Sequence, residues 1–209
     1  MKLGTKAKNL TIVSILLLAA FGAYTFGAPS FASAASPGYQ NSVLPFTHVF
    51  YIMMENHGST NIVNDSAAPY INQLINQYGY DNNYYGVIHV SLPNYVAAIS
   101  GNNWYSYSDD PTQIFNHTNV VDQLENSGIS WKAYMESMPS TGYQGYWYPD
   151  NLPNGTSPSV TPSNALYAKK HDPFMLFTDI YTNPERTNQV VPLTQLQTDL
   201  STNKVPQFV

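Results

Sequence analysis

His48-Val49-Phe50-Tyr51-Ile52-Met53-Met54-Glu55-Asn56-His57 is the stretch whose reading decides the fold. From Thr47 to Met54 it is a near-continuous run of β-branched, aromatic and apolar residues. That is the pattern of a parallel strand buried on both faces. The run stops at Glu55-Asn56. Downstream, residues 68–79 read as a helix, with Pro69 in the first turn, a stripe of Ile71, Leu74, Ile75 and Tyr78, and Gly79 as the stop. Residues 84–90 read as a second strand. Residues 91–101 read as a helix with Ser91 or Leu92 at the N-cap, Pro93 in the first turn and Gly101 at the end. Residues 120–126 form a short helix closed by Gly128, 129–135 a third strand, and 138–163 a long Pro/Gly/Ser/Tyr-rich loop. Short helices are expected at 163–170 and at 190–202, the latter amphipathic with Pro192 near its start, and a strand begins at 205–209. Strands alternating with helices predict an α/β fold, a mostly parallel central sheet flanked by helices.

Composition supports an ordered domain. In 209 residues, aromatics make up 14% and charged residues 10%, too much apolar mass for a disordered chain. Cysteine is absent, which excludes disulfides, thiol nucleophiles and Cys-ligated metals. Lys2, Lys6 and Lys8 precede an apolar run at 10–21 and an Ala32-Ser33-Ala34 site, so residues 1–34 read as a cleaved secretory signal peptide. Residues 35–46 form a linker and 47–209 the folded domain, exported from the cell. No later stretch is apolar enough to span a membrane. Cleavage after Ala34 leaves five basic residues against thirteen acidic ones, a formal charge of −8. Five scattered cations make no track for a phosphate backbone, so nucleic-acid binding is not expected.

Ligand sites in parallel sheets lie beyond the carboxyl ends of the strands. Glu55-Asn56 sits at one such end and offers hard oxygen ligands for a divalent cation; its plainer reading is a strand end followed by a turn. Ser91 sits at the next, where a helix begins. An anion is favoured there, and a hydroxyl could attack phosphorus; its plainer reading is an ordinary N-cap serine. Period-2 alternation puts His89 on the same strand face as Ser91. His171, in Lys169-Lys170-His171-Asp172-Pro173, is a candidate general acid or phosphate ligand.

The run from His48 to His57, the segment Ala68-Pro69-Tyr70-Ile71-Asn72-Gln73-Leu74, and His89-Val90-Ser91-Leu92-Pro93-Asn94-Tyr95 with Ser100-Gly101 resemble a secreted bacterial phosphoesterase family. Its members are acid phosphatases and phospholipases C of the alkaline phosphatase superfamily. Tyr167-Ala168-Lys169-Lys170-His171-Asp172-Pro173-Phe174 and Val191-Pro192-Leu193-Thr194-Gln195-Leu196 resemble its small acid-phosphatase branch. The resemblance implies an alkaline-phosphatase-like fold and a divalent metal of unspecified identity. It implies Glu55 and Asn56 as the first metal ligands, Ser91 as a metal-bound nucleophile, and Asn94 as an amide holding a phosphoryl oxygen; the residue pattern itself puts His89 and His171 at the substrate. Asn94, three residues after Ser91, lies on the same side of the helix. Small-molecule or lipid phosphate esters are the substrates it implies. That superfamily completes its metal site with Asp and His ligands from later strands, yet no Asp, Glu or His follows Leu200. The expectation is therefore a C-terminally truncated chain, with its fold incomplete at that end and its catalytic competence in question. A different class of function also fits one segment: Tyr143-Gln144-Gly145-Tyr146-Trp147-Tyr148-Pro149 could stack on sugar rings in a binding module, or else pack as a loop over the domain.

Overall fold

A computed structural model describes residues 46–153 and 155–209. The expected signal peptide and all but the last residue of the linker lie outside the described residues. The helices follow their punctuation. Helix α1 is Pro69–Tyr78, with Pro69 at its first position and Gly79 at φ 86 beyond its end. Helix α2 is Ser91–Ser100, closed by Gly101 in the left-handed region, which glycine adopts without a Cβ clash. Helix α3, Val120–Asn126, begins in a capping box made by Asn119 and Asp122. The short strands β1 (Ala133–Met135), β2 (Trp147–Tyr148) and β3 (Tyr167–Ala168) follow. Two 3-10 turns at Lys169–His171 and Pro173–Leu176 lead into α4 (Thr178–Tyr181), α5 (Pro184–Thr187), β4 (Val190–Pro192) and α6 (Thr194–Ser201).

The sheet is parallel where it holds the domain together. Strands β1 and β4 pair in parallel, Ala133 opposite Val190. Phe208 bridges Trp131 on one side and Val49 on the other, both in parallel. Four segments therefore lie side by side in the order 49–51, 207–209, 131–135, 190–192. The Val49 and Tyr51 amides donate to the Gln207 and Val209 carbonyls at 2.8 and 2.7 Å. Strands β2 and β3 form a separate antiparallel pair. The observed architecture is mixed helix and sheet with a small parallel sheet, in keeping with the α/β expectation.

Helix α2 anchors the core. Leu92, Val96 and Ile99 recur on one stripe and bury against Phe115, Val121, Leu124, Met175, Phe177, Ile180 and Val190. Each such side chain contributes roughly 1.5–3 kcal/mol.

Four expectations are corrected. Of the run at 47–54 only Val49 to Tyr51 pairs, through one isolated bridge, and the run is exposed: Ile52 and Met54 are 77% and 67% accessible, because among the described residues it is paired along one edge only and its faces are uncovered. Residues 84–90 form no strand, and 87–90 are bends. The Asn94 side chain takes up their backbone groups, which a neighbouring strand would otherwise satisfy. It accepts from the Val87 amide at 2.6 Å and donates to the Ile88 and Val90 carbonyls at 2.8 and 2.6 Å. Residues 163–170 contain β3 and the start of a 3-10 turn, not an α-helix, because the β3 backbone pairs with β2. Val190 and Val191, both buried and β-branched, enter the sheet as β4, so the final helix begins only at Thr194.

Asp199 ties α6 to the sheet. Its carboxylate accepts from Lys132 Nζ at 2.7 Å, the Tyr134 hydroxyl at 2.6 Å and Gln195 Nε2 at 2.8 Å. Burial works against its charge, but these donors outweigh it and hold the carboxyl down to about 2. That value lies below the unfolded one of about 4, so the contribution is complete above pH ~4 and is lost as pH falls toward 2. Lys132→Met should cost about 1–3 kcal/mol at pH 6 by urea denaturation. Asp199→Asn should flatten the fall in stability between pH 4 and 2.

Candidate functional site

Glu55 and His171 arrive from opposite ends of the domain. Glu55 follows the first sheet segment, and His171 closes the 3-10 turn after β3. Glu55 Oε1 and His171 Nε2 lie 3.2 Å apart. The two are not aligned as a hydrogen bond, so Nε2 is buried without a partner among the described residues. Burial lowers the His171 pKa, and the neighbouring Lys170 adds to that effect; Glu55 and Asp109 pull the other way without reversing it. Tyr95 completes the cluster. Its ring stacks on the imidazole with centroids 5.1 Å apart. Burial first, then the nearby charge of Glu55, push its hydroxyl far above the ordinary range, so it stays protonated. These three side chains line a cavity of about 600 Å³ whose other walls include Ile99, Trp131 and Phe174.

Ser91 enters through the helix. It stands four residues before Tyr95 on α2, and residues so spaced share a helix face. The Ser91 hydroxyl does not cap the helix. Val90 occupies the N-cap position, and no cap bond comes from its side chain. The capping is done from outside. Asp109 Oδ1 accepts from the Leu92 amide at 3.0 Å, and Asp109 Oδ2 accepts from Lys170 Nζ at 2.8 Å. Burial opposes the charge of Asp109, but Lys170 and the Leu92 and Ser91 amides prevail and lower its pKa.

The other expected residues fall differently. Asn56 follows Glu55 in the left-handed region at φ 62, which asparagine tolerates, and is exposed. His89 is exposed, and its pairing with Ser91 by strand alternation fails because 84–90 is not a strand. The Asn94 amide is engaged with the backbone of 87–90 on both its oxygen and its nitrogen. Among the described residues no group of three or more His, Asp and Glu side chains is placed to hold a metal ion. No helix among them is long and apolar enough to cross a membrane. The aromatic loop packs inward. Trp147 is buried and donates to the Pro158 carbonyl at 3.0 Å, and Tyr143 donates to the Trp147 carbonyl at 2.8 Å. That favours a packed loop over a sugar-stacking surface.

Tyr95, Asp109 and Lys170 are the residues that sequence reasoning missed. Tyr95 was readable, since it is one turn from Ser91 in the same motif. Asp109 was not, because nothing local marks a carboxylate that caps a helix beginning 18 residues earlier.

Residues 59–209 match the model of the Phosphoesterase family, and the chain belongs to that family. It is 34% identical to a phosphate-repressible acid phosphatase of Penicillium chrysogenum over 61% of this chain and 28% of the relative. It is 27% identical to an acid phosphatase of Aspergillus niger over 98% of this chain and 48% of the relative. It is 25% identical to a phosphatidylinositol-3-phosphatase of Mycobacterium tuberculosis over 84% of this chain and 52% of the relative. The chain thus spans between about a quarter and a half of the length of these curated relatives. Fungal proteins stand beside a bacterial one, so the kinship is wider than the bacterial family expected from the motifs.

Asp172, next to His171, is fully buried and accepts from the Tyr167 hydroxyl at 3.0 Å. Burial raises its pKa to about 6 against the pull of Tyr167, the Met175 amide and Lys169. The folded value lies above the unfolded one, so the folded state binds more protons and stability falls as pH rises from ~4 to 6. Asp172→Asn keeps an acceptor for Tyr167 and should remove about 1–3 kcal/mol of that fall, read as the difference in urea stability between pH 4 and pH 7.

Proposed function

We propose that this protein is an exported, metal-dependent phosphate-ester hydrolase of the acid-phosphatase kind, with an alkaline-phosphatase-like fold and Ser91 as nucleophile. The observation that carries this reading is the convergence of Glu55, Tyr95 and His171 on the face of α2 that begins with Ser91. A serine freed from capping, at a helix start and one turn before the tyrosine that stacks on His171, suits attack on a phosphoryl group. The acid phosphatases among its relatives support the reaction class.

Ser91 Oγ attacks phosphorus in line with the ester oxygen. The bond from phosphorus to that oxygen breaks, and the departing alcohol takes up a proton. The resulting phosphoserine is cleaved by water, which releases inorganic phosphate and restores the hydroxyl. His171 Nε2 holds a phosphoryl oxygen, and Tyr95 fixes the imidazole plane by stacking. Glu55 and Asn56 would hold a divalent cation through their hard oxygen donors, with Ser91 Oγ as the further donor the mechanism needs. Such an ion would lower the pKa of the hydroxyl and offset phosphoryl charge. The substrates are small-molecule or lipid phosphate esters, and the apolar cavity walls suit an ester with an apolar leaving group.

The test is p-nitrophenyl phosphate hydrolysis by the full-length protein. Ser91→Ala should lower kcat by roughly 10³-fold or more, about 4 kcal/mol, with the thermal midpoint unchanged. A variant that kept more than about a tenth of the activity would point instead to direct attack by water. Exhaustive chelation should abolish turnover, and Glu55→Ala should lower bound metal by elemental analysis. Full activity in metal-free protein would remove the ion from the mechanism.

A further inference from the structure

The geometry points to Asp109 and Lys170 as a positioning pair that sets Ser91 in register with His171. The inference rests on the nucleophilic role proposed for Ser91, and it explains how that role is held in place. Two observations carry it, one at each end of the pair. At one end, the Asp109 carboxylate takes the amide at the start of α2 at 3.0 Å, a duty that falls to a serine hydroxyl at many helix starts. Val90 at the N-cap position has no side chain able to do it. A capping carboxylate brought in from another loop leaves the Ser91 hydroxyl uncommitted. It also complements the positive end of the helix.

At the other end, Lys170 reaches the second carboxylate oxygen at 2.8 Å. Lys170 immediately precedes His171 in the same 3-10 turn. A shift of that turn would move the imidazole and strain the bond to Asp109, and a shift of the helix start would do the same from the other side. The pair therefore couples two segments about 80 residues apart in sequence through one carboxylate. Its side chains are only about a fifth and a third exposed, so the bond is better shielded than a surface pair. The loop that carries Asp109 is itself braced. Gln113 Nε2 donates to the Ser108 and Asp110 carbonyls, both at 3.0 Å, and Ser106 Oγ donates to Gln113 Oε1 at 2.7 Å. A braced loop lets the carboxylate act as a fixed point.

Lys170 makes no use of its charge toward substrate in this arrangement, since Asp109 neutralises it. That separates positioning from direct phosphate binding. Four variants of the full-length protein test the pair: Lys170→Met, Lys170→Arg, Asp109→Asn and Asp109→Ala. Lys170→Met should lower kcat for p-nitrophenyl phosphate by ~10–100-fold with KM within about twofold, the signature of a misplaced reacting group. Lys170→Arg should recover activity to within ~3-fold, because a guanidinium can make the same bond. Asp109→Asn keeps an acceptor for the helix but loses the ion pair, so it should fall between wild type and Asp109→Ala. Hydrogen exchange is the arm that does not depend on catalysis. Lys170→Met should lose amide protection at residues 91–92 and in the 169–171 turn together, with the thermal midpoint within a few degrees of wild type. A rise in KM with kcat preserved would make Lys170 a direct phosphate ligand and overturn the proposal. Unchanged exchange at 91–92 in Lys170→Met would overturn it as well. If wild type fails to hydrolyse the ester, the functional reading falls, and the exchange experiment still decides the coupling.

Discussion

The burial of one stripe of α2 is the constraint from which the rest of the site follows. Leu92, Val96 and Ile99 enter the core, which fixes the rotation of the helix about its axis. Once that rotation is fixed, Tyr95 is held against the imidazole of His171, and Ser91, one turn earlier, shares that face of the helix. A helix turned by a few tens of degrees would bury Tyr95 differently and break its stacking on the imidazole. The core and the site are thus two faces of one ten-residue element. This is why a helix of modest length bears so many fully buried side chains.

Much of this was legible before any coordinates, and the reasons differ by element. Helices α1, α2 and α3 announce themselves because proline, glycine and asparagine mark their ends, and such signals act locally. The parallel arrangement was legible from the apolar run at 47–54, although the burial expected of it was not observed. A run of β-branched and aromatic residues reports its preference for extended backbone, and what covers it is decided elsewhere in the chain. Residues 84–90 misled for a related reason. Their composition suits a strand, but the Asn94 amide met their backbone groups first. Val190 and Val191 show the converse, with β propensity and burial in β4 overriding a helical reading of the same residues.

Asparagine at the fourth helical position explains two loops at once. Asn72 in α1 accepts from the Asn64 amide at 2.6 Å and donates to the Ile62, Asp65 and Ala68 carbonyls at 2.8 to 3.0 Å. Asn94 holds the same position in α2 and does the same for 87–90. A single amide carries two donors and an acceptor oxygen, enough to replace the ladder that an irregular segment lacks. In this light Asn94 shapes the approach to Ser91 from behind. Any contact with a phosphoryl oxygen would have to compete with bonds that already hold the loop.

Three of the domain's basic side chains are spent on internal ion pairs. Lys132 meets Asp199, Lys170 meets Asp109, and Arg186 meets Asp122, Glu125 and Asp179. Lys169 is buried and lies over the rings of Tyr146 and Tyr181, at 5.4 and 5.9 Å from their centroids. The Lys132, Lys170 and Arg186–Asp122 ties join segments some 60 residues apart in sequence, so these cations do the work of cross-links in a chain that has no cysteine. The two carboxyl groups with the largest displacements respond to acid in opposite senses. Asp199 loses its contribution as protons arrive, whereas Asp172 is relieved of a buried charge by them. Asp172 sits beside His171 and beneath the site, so mild acid removes a cost from the region where the chemistry is proposed to occur. The sheet-to-helix tie at Asp199 keeps its charge until the medium is far more acidic. The separation of those two titrations leaves a window, from roughly pH 4 to 6, in which Asp199 keeps its charge and Asp172 is protonated.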